Sequence, residues 1–445
     1  MANNLKQQST ENSVLFQLEG IPRFREALPL ALQHVVAMIV GCVTPAIIVA
    51  NAGQLQESEK VLLIQAALVI SAISTLLQLF PIGKYFGSGL PMIMGISFAY
   101  VPTMQAIAEG YDVGTILGAQ IVGGFVAIIV GIFMKQLRKF FPPLITGTVV
   151  LSIGLSLYPT AVNYMAGGVG SEHYGSAKNW AIALLTLVIV TGLNHYTKGI
   201  LKLASILIAI VIGYIVACFA GLVDLSPVAS SGFFYLPKPM HFGLHFNISA
   251  CVAIGVLFAV NSIQTIGDFA ATTTGALDRE PTNRELQGGI ICHGCANILG
   301  AFLGGLPTNG YGQNVGIVTS TKVVNRMVLA GSALIILIAG IVPKFSALLT
   351  TIPQCILGGA TISVFASIAM TGIKLITSQP MTYRNTTIVG LSIALGMGVT
   401  QASASLAQFP SWVSTIFGES PVVLATAVAI FLNQILPKDP APTTK

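Results

Sequence analysis

The sequence predicts an all-α polytopic membrane protein, with about fourteen transmembrane segments arranged as two inverted repeats of seven. Three observations lead there. Of the 445 residues, 54% are hydrophobic and only 8% are charged, against roughly 25% charged in soluble domains, and the mean hydropathy is +0.82. The chain divides into apolar segments, several of them near the roughly 20 residues a spanning helix needs. Two of these segments are opened by the same triplet, Gly89-Leu90-Pro91 and Gly305-Leu306-Pro307. In lipid an unpaired backbone amide is costly, so non-helical chain at membrane depth persists only against protein or a polar cavity. Paired Gly/Pro interruptions in two halves of a chain point to a transporter binding site.

The expected spans, in order, are 29–50, 61–80, 90–108, 113–134, 143–159, 178–195 and 200–222 in the first half. The second half has 248–268, 286–303, 308–321, 326–348, 353–373, 386–402 and 419–437. The third and tenth read as broken. Residues 1–26 are polar and mixed in charge and have no cleavage pattern of a signal peptide. With a cytoplasmic N-terminus and fourteen crossings, the inner face receives Lys6, Arg23, Arg25, Lys84, Lys135, Arg138, Lys139, Lys198, Lys202, Arg279, Arg284, Lys322, Arg326, Lys374, Arg384, Lys438 and Lys445. The outer face receives only Lys60, Lys178, Lys238 and Lys344. This asymmetry places both termini in the cytoplasm of a cell with the chain in its inner (plasma) membrane. The net charge of +6 is thus a topology signal, and no basic run is dense enough for nucleic acid.

The halves correspond. Gln33-His34 marks segment 1 and Gln264 to Asp268 marks segment 8; the breaks fall in segments 3 and 10. An odd number of crossings per half inverts one repeat relative to the other. Segments 4–7 and 11–14 are blander and suit packing or gating. The six cysteines lie in or beside apolar segments and read as small hydrophobes. Cys292-His293-Gly294-Cys295 looks like a metal or redox motif in isolation, but a second ligand pair is missing, so no metal or cofactor is expected.

Asp268 alone among the acidic residues sits within a continuous apolar segment. An ionisable residue there is a functional hypothesis; the alternative is a helix end that meets water or a backbone partner. His34 and His293 either titrate near neutral pH or bond a neighbouring helix. Gln264 offers two donors and an acceptor, which suits the edge of a planar cyclic amide or serves as glue between helices. Gln313 and Asn314 follow the second break, where Gly310, Gly312 and Gly316 let backbone come close and free amides at a half-helix end can bind an oxygen-rich solute. These residues together describe a polar site at the membrane midplane.

The run Gln313-Asn314-Val315-Gly316-Ile317-Val318-Thr319-Ser320-Thr321-Lys322 resembles the signature of the nucleobase–ascorbate transporter family: Gln, Glu or Pro, then Asn-x-Gly, four variable residues, Thr, and Arg, Lys or Gly. Gln33-His34, Gly95-Ile96-Ser97-Phe98 and Ile266-Gly267-Asp268 resemble its motifs in segments 1, 3 and 8. The resemblance implies short antiparallel strands in segments 3 and 10. It implies a cytoplasmic tail at 1–28, a core domain at 29–134 and 248–348, a gate domain at 135–222 and 349–437, an extracytoplasmic loop at 223–247 and a tail at 438–445. It also implies that substrate lies against Gln264, Gln313, Phe98, Ala99 and Gly312, with His34, Asp268, Asn314 and His293 in supporting or coupling roles. The implied substrate is a nucleobase moved by proton symport, with sodium the less favoured ion, through an elevator-type or gate-domain movement; a homodimer through the gate domain is implied as well.

Two positions depart from the family pattern. Gln264 stands where a Glu is usual, and His293 where an Asp is frequent. A neutral amide can bind a nucleobase but cannot carry its proton, which shifts coupling toward Asp268 or a histidine. Gln313 resembles purine-type members and Ala99 is small, favouring xanthine or urate over uracil. The competing readings are a uracil or other pyrimidine permease, an anion transporter on the same inverted architecture, and an intramembrane enzyme. The lack of basic residues at the breaks weighs against the anion carrier. The lack of a nucleophile–base constellation weighs against the enzyme, and no Gly-x-x-x-x-Gly-Lys loop is present for a nucleotide-driven pump.

Overall fold

The computed structural model describes residues 14–83, 85–137, 142–410, 413–418 and 420–437. Part of the expected N-terminal tail (1–13), Lys6, Lys84, Arg138, Lys139, Lys438, Lys445 and the 438–445 tail lie outside the described residues.

The first half runs α1 (Phe24–Ala52), α2 (Glu57–Leu79), β1 (Met94–Ile96), α3 (Val101–Gly110), α4 (Val113–Ile132), α5 (Pro143–Ser156), α6 (Tyr158–Met165), α7 (Ala177–Tyr196) and α8 (Ser205–Phe219). The second runs α9 (Ile248–Ala276), α10 (Asn283–Phe302), β2 (Thr308–Gly310), α11 (Gly312–Thr321), α12 (Arg326–Ile341), α13 (Pro343–Thr350), α14 (Gln354–Thr377), α15 (Tyr383–Gln401) and α16 (Pro421–Ile435). The order repeats: two long helices, a strand with a short helix, then five helices. Every expected apolar segment contains a helix. Among the described residues seven are able to cross a membrane by length and composition: α1, α2, α4, α5 with α6, α7, α9 and α14. An eighth is the pair α12 and α13, bent by 81°, where Pro343 supplies no N–H and cannot continue the preceding helix.

Polar caps start the helices where the chain leaves loops. Asp112 accepts from the Thr115 amide at 2.7 Å, Asn247 from Ala250 at 3.2 Å and Thr382 from Asn385 at 3.2 Å. Gln56 with Glu59 and Thr282 with Glu285 form capping boxes, each satisfying two amides that the first helical turn leaves free. Both boxes open the second helix of their half.

The helices pack in two groups. α4 lies along α9 and α10, and α12 lies along α1 and α2; the largest apolar core runs through these. α14 lies along α5, α6 and α7, and α16 along α5 and α15. Gly124 and Gly294 bring α4 and α10 together: a Cβ on Gly124 would stand 2.8 Å from the Gly294 carbonyl oxygen. Close backbone approach through small residues is the packing mode available where lipid removes the hydrophobic drive between helices.

Among the described residues the sheet has two strands. β1 and β2 are antiparallel, with Met94 opposite Gly310, Gly95 opposite Asn309 and Ile96 opposite Thr308. They are the same element of each half running in opposite directions, as an inverted repeat requires. The ladder extends by one bond at each end, Tyr311 N to Ile93 O at 3.0 Å and Ser97 N to Pro307 O at 3.1 Å.

Candidate functional site

Each strand hands the chain to a short helix. After β1, Ser97 takes an extended conformation and its hydroxyl accepts from Ala99 N at 3.2 Å. Phe98–Tyr100 then forms a single tight turn before α3. After β2, α11 begins at Gly312 with Gln313 in its first turn. Two helix starts therefore follow directly on the paired strands, and helix starts are positions that favour electron-rich ligand atoms.

A cavity of about 600 Å³ lies there, within the range of small-molecule sites. One wall is Ile96, Ser97, Phe98 and Ala99 from the first break. A second is Gly310, Tyr311, Gly312 and Gln313 from the other. Gln264 and Asp268 of α9 form the third; four residues apart, they share one helix face. The Gln264 and Gln313 amides make no hydrogen bond to another described residue. Asp268 Oδ2 is buried with no hydrogen-bond partner among the described residues, and a Cβ on Gly310 would stand 3.2 Å from it.

The remaining wall belongs to the other helix group. Ser363, Ser367 and Thr371 of α14 line it with Asn194 of α7 and apolar residues of α5 and α8. These polar residues escaped the sequence reading. The signal was present, since 363, 367 and 371 recur every four residues, but segment 12 read as packing. Phe98 meets Phe365 of α14 edge-on, ring centroids 5.3 Å apart, so the two groups touch beside the cavity.

Three sequence-selected residues stand behind the cavity. His34 is buried in α1 and joined to α11: Asn314 Nδ2 donates to His34 Nδ1 at 3.0 Å and to the His34 carbonyl at 3.2 Å. Asn314 thereby fixes α11 against α1 one residue after Gln313. His293 sits in α10 beside Phe258, ring centroids 5.7 Å apart, and its Nδ1 faces Asn297 Nδ2 at 3.3 Å. Cys292 and Cys295 flank it as free thiols. Among the described residues no cluster of His, Cys, Asp or Glu could hold a metal ion.

Tyr311 wedges the strands in place. Its ring is buried, and its hydroxyl donates to the Ile96 carbonyl at 2.7 Å. Gly95 must be glycine for this to fit, because a Cβ there would collide with the Tyr311 ring and with Cys42 Sγ.

The family model described as Permease family matches residues 25–405. The chain belongs to the nucleobase–ascorbate transporter family. This transporter is a permease and not an enzyme, and a multi-pass membrane protein. It is 34% identical over 413 residues to the xanthine permease of Bacillus subtilis, covering 92% of this chain and 93% of that one. It is 31% identical over 445 residues to the xanthine permease XanQ of Escherichia coli (96% and 94% covered). It is 33% identical over 410 residues to the uric acid permease PucK of Bacillus subtilis (92% and 95%). The transporter shares its fold with the transmembrane domain of a cyanobacterial bicarbonate transporter, BicA, at TM-score 0.57 and 13% identity (94% and 99% covered). It also shares the fold of the murine solute carrier 26 family member A9 anion transporter, at TM-score 0.60 and 13% identity (92% and 68%).

Proposed function

We propose that this permease takes up an oxidised purine, xanthine or urate, by proton symport. The single observation that carries the reading is the cavity itself. Two unengaged carboxamides, Gln264 and Gln313, face it beside two helix starts, Phe98 and one buried carboxyl. A flat heterocycle with alternating N–H and C=O groups matches that set: amides pair with its edge and Phe98 covers a face. The xanthine and uric acid permeases among the relatives support the purine assignment. Asp268 is the only carboxyl among the lining residues, and it is the proton carrier in this reading because Gln264 is neutral.

Movement follows from the two helix groups. The binding walls of β1, β2, α9 and α11 belong to the group of α1–α4 and α9–α13, which acts as the mobile core; α5–α8 and α14–α16 act as the gate. Side-chain bonds between the groups support an inward-open state. Asn51 Nδ2 donates to Tyr164 Oη at 3.0 Å, Thr160 Oγ1 to Gln105 Oε1 at 3.1 Å, and Thr103 pairs with Ser420 at 2.7 Å. With the N-terminus in the cytoplasm all three sit toward the outer side, where they close the cavity against the exterior. Alternating access breaks these bonds and forms others at the inner ends. The test is uptake of radiolabelled xanthine, urate, uracil, guanine and adenine by cells expressing the chain, with and without a proton uncoupler. Uncoupler-sensitive accumulation of xanthine or urate supports the reading; uptake of uracil alone, or of no base, overturns it.

A further inference from the structure

A two-stranded sheet inside a membrane protein has a problem at both edges. In an antiparallel ladder, bonded residue pairs alternate with pairs whose N–H and C=O turn outward. Here the bonds at Ile93–Tyr311 and Ser97–Pro307 place the bonded pairs at odd-numbered residues of both strands. Met94, Ile96, Thr308 and Gly310 therefore turn their backbone groups away from the partner strand. Among the described residues there is no third strand, and without water each orphaned group carries a cost of several kcal/mol in hydrocarbon.

At the first residue of each strand a side chain closes the edge. On β1, Met94 N donates to Thr75 Oγ1 at 2.9 Å, and the same hydroxyl stands 3.1 Å from the Met94 carbonyl, its proton shared with the Ser71 carbonyl at 2.8 Å. On β2, Thr308 N donates to Asn297 Oδ1 at 2.8 Å, and Asn297 Nδ2 donates to the Thr308 carbonyl at 3.2 Å and to the His293 carbonyl at 2.9 Å. Thr75, Asn297 and Thr308 are all buried. Thr75 belongs to α2 and Asn297 to α10, the second helix of each half. In both halves one side chain from that helix takes the outward N–H and C=O of the strand's end residue. Different residue types do the same job, so the symmetry is invisible as sequence identity.

We infer that Thr75 and Asn297 are positioning residues that stand in for missing third strands, holding the strand register and through it the aim of Phe98 and of the Gln313-bearing helix start. A one-residue slip would turn every side chain of a strand to its other face. β1 ends two residues before Phe98 and β2 two residues before Gly312, so a slip would carry directly into the cavity walls. The clamps touch no cavity surface, since neither residue lines it.

The test compares Thr75→Val, which keeps the shape and removes the hydroxyl, with Thr75→Ser, which restores it, and Asn297→Asp, which keeps the acceptor and loses the donors. Backbone amide exchange by mass spectrometry over residues 92–98 and 306–312 of the purified full chain is the primary readout. It requires no substrate and so is independent of the nucleobase reading. Thr75→Val should exchange the first stretch at least roughly tenfold faster, Thr75→Ser should match wild type, and Asn297→Asp should accelerate the second stretch. The uptake arm rests on that reading: KM for the transported base should rise by roughly tenfold or more while turnover at saturation stays within about threefold. Wild-type exchange rates in Thr75→Val and Asn297→Asp would overturn the proposal. A wild-type chain that transports no nucleobase would instead overturn the functional reading and leave the exchange result standing. A Thr75→Val chain that cannot be purified folded, with an unfolded Thr75→Ser beside it, would also refute the assignment, because the hydroxyl would then not be the decisive group.

Discussion

Asp268→Asn separates binding from energy coupling. In the proposed symport Asp268, the only carboxyl among the residues that line the cavity, carries one proton, and with it one elementary charge, for each molecule of uncharged xanthine. Moving one charge through about 100 mV is worth about 2.3 kcal/mol. With tenfold per roughly 1.36 kcal/mol, that potential supports about fiftyfold accumulation. Asparagine has nearly the same volume and keeps one oxygen on the same helix face as Gln264, so the cavity retains its shape. The assay is proteoliposome uptake driven by a potassium diffusion potential, paired with exchange of labelled for unlabelled base at zero potential. Wild type should accumulate toward the fiftyfold limit; Asp268→Asn should equilibrate near unity while exchange persists. Accumulation by the mutant at the wild-type level would refute Asp268 as carrier and move coupling to a histidine or to another ion.

Other outcomes can be read alongside. Gln313→Ala should abolish uptake with normal membrane expression, and unaltered uptake would remove Gln313 from the site. Gln264→Glu places a second carboxyl one turn from Asp268, and should change the pH dependence of uptake or the base preference; no change in either measurement would show that α9 does not contact substrate. Gly95→Ala should destabilise the fold by about 1–3 kcal/mol through overpacking against Tyr311, seen as a lower detergent-unfolding midpoint, and normal stability would mean the wedge is loose. Partial burial raises the Asp112 carboxyl, but bonds from the Thr115 amide and hydroxyl and from His245 outweigh that and hold it below its ordinary value. A carboxyl held low in the folded state stabilises it above the unfolded pKa and loses that contribution as pH falls through the folded one. Asp112→Asn should therefore flatten the loss of stability below about pH 4, and an unchanged acid limb would argue against the cap.

Much of the architecture was legible before folding. Composition alone demanded a bilayer, and the repeated Gly-Leu-Pro triplet located both breaks, where the structure has β1 and β2. The rarity of Asp268 within apolar sequence singled it out by cost. What escaped has a common physical character. Ser363, Ser367, Thr371 and Asn194 acquire a role only because α14 and α7 face the cavity from the opposite group. His34 and Asn314 are 280 residues apart in the chain, and neither side chain announces the other. His293 was chosen for its chemistry, yet it lies against Phe258 and Asn297, away from the cavity walls.

By itself, then, the order of residues determined the solvent this protein folds in, the apolar character of its segments, and the places where helix had to stop. Those are local matters of transfer energy and backbone chemistry. Only the tertiary structure decided which side chains close the edges of a two-stranded sheet and which helix group supplies the far wall of the cavity. Such choices depend on satisfying buried backbone groups across the whole bundle, a condition that no stretch of sequence contains.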